Sequence, residues 1–500
     1  MLDITLDLNG LRLPARLCGD PETVEGGLLL PPGQVSILHP FGATRFFRHG
    51  WNSWSPTAWW SLAQPPLRIP TPERLLTADD IEHDSLWRHT GSAVGALQGP
   101  DGKVLLLGGL GLGVPRIDVD QRTVGADAEH ADAPWFLAYG PEAEVFEHYA
   151  HFLATRHGRR EQRAGSIWCS WYSFFEDITE PLLHKVLDGL TGHSFDVVQI
   201  DDGWQQCVGD WFPSADFPSG MADLAARIRA AGFRPGLWLA PLIAPAHSRI
   251  FRERPHLFLK DSTGQPKPAG HNWGSPYFAL DTTLPEAAEH LVDTVRRAVG
   301  WGFDYLKLDF LYAGALAARR HDDIPREVAY REAAQLIRDA VGDSTYLLGS
   351  GAPILPSIGL FDGIRVGPDV APYWDNSERS TDYSGAGARN AVIASLHRTW
   401  LRPLYEIDPD VVFFRRRYNL LDDQCRQILA DLAAVCDFRA TSDPMDWLDE
   451  TETEELDRFL TARPTVHRVE RFRYLIDDRE VDFTPFVEPD GRLSDRILVK

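Results

Sequence analysis

The stretch "GFDYLKLDFLY", residues 302–312, sets a lysine and an aspartate inside a run whose Tyr, Leu and Phe content predicts a β-strand. Side chains alternate along a strand, so Tyr305, Lys307 and Asp309 share one face while Leu306, Leu308 and Phe310 share the other. Burying a charge costs several kcal/mol unless a partner compensates it. The two charges are therefore either a structural ion pair or working groups, and the motif alone leaves both readings open.

Outward from this stretch the chain repeats one pattern, strand then helix. Strands are predicted at "SIWCSWY" (166–172), "FDVVQIDD" (195–202), "FRPGLWLAP" (233–241), "FDYLKLDFL" (303–311), "TYLLGSG" (345–351), "GIRVGPD" (363–369) and "RPLYEID" (402–408). Between several of them lie bounded helices: Thr283 and Pro285 open one that Gly300 closes, and Pro325 opens another that ends before Gly342. Such repetition over nearly 300 residues predicts a (β/α)₈ barrel. Residues before about 140 differ, with short alternating runs ("ITLDL", "KVLLLGG", "PRIDVD") between Gly, Pro and Asp turns. The run "GGLGLG" at 108–113 is not a dinucleotide loop, because Pro115 and β-branched residues follow it where a helix would have to open. A helix over "PEAEVFEHYAHFLATRHG" leads into the basic junction "RREQRAG", and "VHRVERFRYLI" and "REVDFTPF" predict a small β segment at the end. The expected fold is multidomain α/β: a β-sandwich with a connecting helix over 1–155, a catalytic barrel over 160–450 and a short β appendage over 451–500.

Composition narrows the partners. A formal net charge of -22 argues against a nucleic-acid surface or an anionic membrane, both of which need clustered Lys and Arg, and favours a neutral small-molecule substrate. "MLDITLDLNG" lacks a basic region followed by an apolar core, and no later stretch runs 18 apolar residues, so a cytoplasmic protein without a membrane partner is expected. The five cysteines are scattered without the spacing of a zinc site or a disulfide framework, which predicts free thiols. Tryptophans cluster in "GWNSWSPTAWW" (50–60) beside loop residues; aromatic faces there suit sugar rings, although core packing is the commoner use.

Active sites of such barrels lie at the C-terminal strand ends, and here those ends carry acids: Asp201 and Asp202, Asp309, and Asp369. A lone Asp after a strand is more often a helix cap, but "IDDGW" and "GPDVAPYW" continue with Gly, Pro and Trp instead of a helical run. Several carboxylates suit either divalent-metal hydrolysis or glycoside hydrolysis. Barrel metal sites add histidines near strand ends, yet no HxH or HExxH occurs, "HYAH" (148–151) lies outside the barrel, and His193 and His271 read as loop residues. Glycoside hydrolysis leads, and neither metal nor cofactor is expected.

In order along the chain, "WCSWY", "VVQIDDGW", "GDW", "FPSGMADLAARIRAAGFRPGLWLAP", "YLKLDFLYAGA" and "GIRVGPDVAPYW" resemble the α-galactosidases of glycoside hydrolase family 36, and "NSW" at 52–54 resembles their N-terminal "QSW" element. The resemblance covers about residues 50 to 415. It implies an N-terminal β-supersandwich, a catalytic (β/α)₈ barrel and a C-terminal β domain, here shortened. It also implies a retaining, exo-acting hydrolase of terminal α-1,6-galactosides working by double displacement. By the same resemblance Asp309 is the nucleophile and Asp369 the acid/base. Asp201, Asp202 and Lys307 hold galactose hydroxyls, Trp238, Trp171, Tyr172 and Arg365 line the pocket, and Trp54 reaches in from the N-terminal domain. Ser350 stands where many members have a cysteine and is placed to meet the sugar's 2-position. Lys307 is expected to hold Asp309 ionised, while the surroundings of Asp369 favour its protonated form. Two other readings use the same residues: a transglycosidase of the raffinose-synthase kind, and a non-catalytic galactose-binding barrel.

Overall fold

The strand Tyr305–Leu308 is the fourth of eight parallel strands that form one curled sheet. The computed structural model describes residues 1–376 and 381–487, together with the backbone of Leu498 and Val499. Beginning with Ser166–Cys169, the sheet continues through Val197–Ile200, Arg234–Leu239, Tyr305–Leu308, Tyr346–Gly349, Gly363–Arg365 and Glu406–Asp408 in chain order. The eighth strand, Arg439–Thr441, lies beside the first, and a parallel bridge from Val412 to Thr441 links it to the segment just past the seventh. All seven expected strands are present. The eighth was not expected, because three residues in "DFRATSD" carry no readable alternation.

Helices pack against this sheet through single apolar stripes. Pro285–Gly300 buries Ala287, Leu291, Val295 and Ala298, spaced as one face of a helix requires. Its cap residue is Leu284; Thr283 instead hydrogen-bonds Asp281 at 2.6 Å. Arg326–Val341 ends at Gly342, whose φ of 77° lets the chain reverse without a Cβ clash. Helix Glu450–Thr461 follows the eighth strand, starts in a full capping box and buries Leu456 and Leu460. One unpredicted element interrupts the repeat after the third strand, a small antiparallel sheet of Ile243–Pro245, Ser275–Ala279 and Pro268–Asn272.

Ahead of the parallel sheet, six-stranded and seven-stranded antiparallel sheets share one apolar core. Leu6, Leu13, Leu17 and Ile37 enter it from one sheet, and Leu30, Leu97, Leu105 and Leu137 from the other. The glycine run at 108–113 closes one strand, and Pro115–Val119 opens the next, so no helix starts there. The connecting helix is Glu142–His157. The basic junction behind it is pinned, since Arg160 donates to Asp362 at 2.7 Å and to Asp343 at 2.9 Å. A three-stranded antiparallel sheet follows near the C-terminus (Val466–Glu470, Arg473–Ile476, Arg479–Asp482), and beside it Arg471 lies 4.0 Å over the Trp59 ring and pairs with Glu142 at 2.6 Å. All five cysteines are free thiols, and no helix among the described residues is long and apolar enough to cross a membrane.

A buried ionic knot joins the antiparallel sheets to the parallel one. Asp80 accepts from Arg116 Nε at 2.9 Å and Arg326 Nη2 at 2.7 Å, Arg116 also reaches Glu327 at 2.9 Å, and Trp51 Nε1 donates to Glu327 at 2.9 Å. Burial alone would raise the Asp80 carboxyl, but Arg116 and Arg326 pull it far below the usual carboxylate range. Asp80→Ala leaves Arg116 with Glu327 and Arg326 with Glu129 but removes the carboxylate they share, and should cost roughly 3 kcal/mol in urea unfolding at pH 7. Because the folded-state value is depressed, the stabilisation is complete above the ordinary carboxylate range and is lost as pH falls below it. The deficit of the variant should therefore shrink in acid; an equal deficit at pH 7 and pH 3 would contradict this account.

Candidate active site

The acids stand where strands end and the chain turns. At the end of the fourth strand the Asp309 amide donates to Leu239 O at 2.8 Å, and Phe310 adopts φ 54°, which swings the chain out of the sheet. The Asp309 carboxylate accepts from Trp238 Nε1 at 3.1 Å and from the Phe310 amide at 2.9 Å, and the Ser350 hydroxyl hydrogen-bonds it as well. After the second strand Asp201 and Asp202 both reach the same cavity, although adjacent strand residues would face opposite ways. Gly203 makes this possible with φ 114°, and a Cβ there would meet Glu176 O at 2.5 Å. Asp201 accepts from Lys307 Nζ at 2.9 Å and Gln199 Nε2 at 2.5 Å, whereas Asp202 accepts from Trp273 Nε1 at 2.8 Å and from Gln205.

These side chains surround a cavity of about 320 Å³, near the lower bound for small-molecule sites. Asp201, Asp202, Lys307, Asp309 and Asp369 line it together with Trp54, Trp171 and Trp238. Trp54 arrives from the N-terminal unit on a loop whose carbonyls are gathered by Arg398, which donates to Ser53 O at 2.6 Å and Asn52 O at 2.7 Å. Its ring meets Phe310 edge-on at 5.3 Å and lies so near Gly351 that a Cβ there would stand 2.8 Å from it.

Three expected residues are placed differently. Tyr172 and Arg365 were expected on the pocket wall, but both are buried behind it. Arg365 donates to Asp369 at 3.3 Å, Asp410 at 2.7 Å and Asp408 at 2.9 Å, and Tyr172 donates its hydroxyl to Asp410; charge pairing draws them inward. Ser350 is also buried and acts on Asp309 instead of opening onto the cavity. His193 is a loop residue held by Asp457 at 2.6 Å, but His271 belongs to the strand Pro268–Asn272 and lines the cavity.

The electrostatics set burial against pairing. The direct partner of Lys307 is Asp201, and burial raises the Asp309 carboxyl above its ordinary value; Lys307, Trp238 and Ser350 oppose that rise, and Asp369 adds to it. Burial likewise pushes Asp202 up to about 6, against the hydrogen bonds from Gln205 and Trp273. Asp369, by contrast, is half-exposed.

Several lining residues had no signal in the sequence reading. Trp273 comes from the unpredicted antiparallel sheet, and Glu73, Arg74 and Thr77 come from helix Pro72–Ala78 of the N-terminal unit. Asp408 and Asp410 had a signal: "DPD" closes the seventh strand with paired acids much as "IDD" closes the second.

Ionised Asp202 opposes folding, because its folded-state value lies above that of the unfolded chain. The penalty is absent in strong acid, develops above the unfolded value near 4 and is complete above about 6. Asp202→Asn keeps an acceptor for Trp273, and its amide can donate to the buried, unpartnered Gln205 Oε1 once that side chain flips. The variant should gain about 2 kcal/mol in thermal unfolding at pH 8 and progressively less toward pH 4. A loss of stability at pH 8 would refute the assignment.

Comparison with known proteins places this geometry. The Melibiase family model matches residues 142–333. The A type blood α-D-galactosamine galactosaminidase of Flavonifractor plautii is 31% identical over 155 residues, 29% of this chain and 14% of that protein. α-Galactosidase AgaA of Geobacillus stearothermophilus is 23% identical over 208 residues, 38% of this chain and 27% of its own length. The match thus spans well under a third of either curated relative. The AgaA structure, described as a family 36 enzyme in complex with raffinose, shares the fold with a TM-score of 0.61 at 14% identity, covering 92% of this chain and 68% of that one. TtGalA, the α-galactosidase from Thermus thermophilus solved in complex with p-nitrophenyl α-D-galactopyranoside, superposes with a TM-score of 0.92 at 46% identity over 97% of this chain and 100% of that chain. Its complex with stachyose gives a TM-score of 0.87 at 47% identity, over 93% and 100% of the two chains. With that identity sustained from end to end of the Thermus thermophilus enzyme, the chain belongs to the α-galactosidases of glycoside hydrolase family 36.

Proposed function

We propose that the protein is a retaining, exo-acting α-galactosidase that releases terminal α-1,6-linked galactose from oligosaccharides. The observation that carries this reading is the placement of Asp309 and Asp369, at the ends of the fourth and sixth strands, on one small cavity walled by tryptophans. Asp309, held by Trp238, the Phe310 amide and Ser350, attacks the anomeric carbon from the β face of the ring, opposite the departing oxygen. The bond to the leaving oxygen breaks, and Asp369 gives that oxygen its proton. The carboxylate left on Asp369 then takes a proton from water as that water attacks the glycosyl ester, releasing galactose and restoring both acids. Asp201 and Asp202 are set to accept from the 4- and 6-hydroxyls, Lys307 donates to a neighbouring one, and Trp54, Trp171 and Trp238 cover ring faces.

The oligosaccharide class is supported by the ligands of the Thermus thermophilus enzyme, an aryl α-galactoside and stachyose. In this reading the curled sheet is a closed (β/α)₈ barrel and the two antiparallel sheets are a supersandwich, with units at 1–155, 160–450 and 451–500. Five free thiols fit a reducing, cytoplasmic location.

Azide rescue tests the roles. Asp309→Gly should be inactive alone and, with azide and an aryl α-galactoside, should yield the β-galactosyl azide, because azide then enters where the carboxylate stood. Asp369→Ala should yield the α-galactosyl azide, formed from an intact glycosyl-enzyme. The opposite anomers would exchange the two roles, and rescue of neither variant would remove the mechanism.

A further inference from the structure

Behind Asp369, three carboxylates share one guanidinium. Arg365 Nη1 lies 3.3 Å from Asp369 and 2.7 Å from Asp410, and its Nε lies 2.9 Å from Asp408. Asp410 also grips the loop that carries Asp369, since its Oδ2 accepts from the Val370 amide at 2.9 Å, and the Tyr172 hydroxyl donates to the same oxygen. The side chain is fully buried. Its backbone sits at φ 85°, a region that residues other than glycine rarely adopt and keep only where surrounding contacts hold them there.

We propose that Asp410 is a positioning residue for the protonation of the leaving oxygen. It fixes Arg365 and the Val370 amide so that Asp369 faces the departing group, and it shares the Arg365 guanidinium with Asp369 and Asp408. This rests on the reading of Asp369 as the acid/base. A guanidinium beside a carboxylic acid favours the ionised form, which cannot donate. Sharing Arg365 among three carboxylates spreads its charge and lets the cluster retain a proton.

The groups facing Asp410 come from five elements: Arg365 and Asp369 from the sixth strand and its loop, Asp408 from the seventh, Cys169 from the first, Tyr172 from the short helix Trp171–Phe174 after it, and Lys307 from the fourth. Burial pushes the Asp410 carboxyl upward, Arg365 and Lys307 pull it down, and Asp369 and Asp408 push it up again.

Asp410→Asn keeps the shape and an acceptor for the Val370 amide but removes the charge. It is to be compared on p-nitrophenyl α-galactoside, whose leaving group needs little protonation, and on raffinose, whose sugar leaving group needs it fully. The expected result is a kcat loss of roughly 100-fold on raffinose and under roughly tenfold on the aryl substrate, with KM nearly unchanged. The alkaline limb of kcat/KM on raffinose should also move to lower pH. Tyr172→Phe, which leaves every charge in place, should show a smaller loss with the same dependence on the leaving group; if Asp410→Asn fails to fold, this variant decides alone. Equal losses on both substrates would make Asp410 a structural residue and overturn the proposal. Asp369→Ala, measured alongside, separates the two levels. If it too lacks the leaving-group dependence, the acid/base assignment fails; if it shows the dependence and Asp410→Asn does not, only the present inference fails.

Discussion

The 2.9 Å ion pair between Lys307 and Asp201 is the constraint around which the site is arranged. Both side chains are almost fully buried, a placement that is stable only when charge and hydrogen bonds are closely matched. Burial works against the Lys307 charge, yet Asp201 restores it, so the lysine stays a cation. Around this pair the cavity still holds more carboxylates than cations; burial lifts Asp309 and Asp202 above their ordinary range, and the neighbouring carboxylates add to the rise. The second cation, Arg365, is likewise outnumbered, by Asp369, Asp408 and Asp410. Lys307 and Arg365, each set among several acids, thus divide the site into a buried half, suited to holding hydroxyls and attacking carbon, and a half-exposed edge, suited to proton transfer.

Such a cluster can exist only inside a scaffold stable enough to bear its cost. Eight parallel strands buried on both faces supply that; Lys307, Arg365 and Asp408 stand in the strands, and the other acids on the loops just beyond their ends. The parallel sheet alone leaves the cavity unfinished. Trp54, Glu73 and Arg74 come from the N-terminal unit, held in place by the carbonyl cage at Arg398 and the ionic knot at Asp80. Joining the units is therefore part of building the site.

Much of this was legible in the sequence, for reasons that also explain the gaps. Strand and helix alternation gave seven of eight strands, and "IDDGW" gave both the paired acids and the glycine turn that brings them to one cavity. The eighth strand escaped because three residues cannot express a period of two. Trp273 escaped because it sits on an insertion that follows no barrel rhythm, at a turn where it adopts φ 49°. The partner of Lys307 had no signal in the sequence. Asp201 approaches Lys307 from the end of the second strand, far away in sequence, where no local pattern can show the pairing. Tyr172 and Arg365 carry no mark in sequence that separates a cavity wall from the layer behind it. Only the positions of Asp408 and Asp410 make that distinction.

The central claim, that buried acceptors at Asp201 and Asp202 read the sugar's hydroxyl pattern, is tested most directly by kcat/KM on p-nitrophenyl α-galactoside against p-nitrophenyl α-glucoside. These substrates differ only in the direction of the 4-hydroxyl. A site that leaves buried carboxylate oxygens unpaired with the glucoside should discriminate by roughly 10⁴-fold, and Asp202→Asn should narrow that ratio. Comparable kcat/KM on the two substrates would contradict the account, however well the scaffold and its acids are placed.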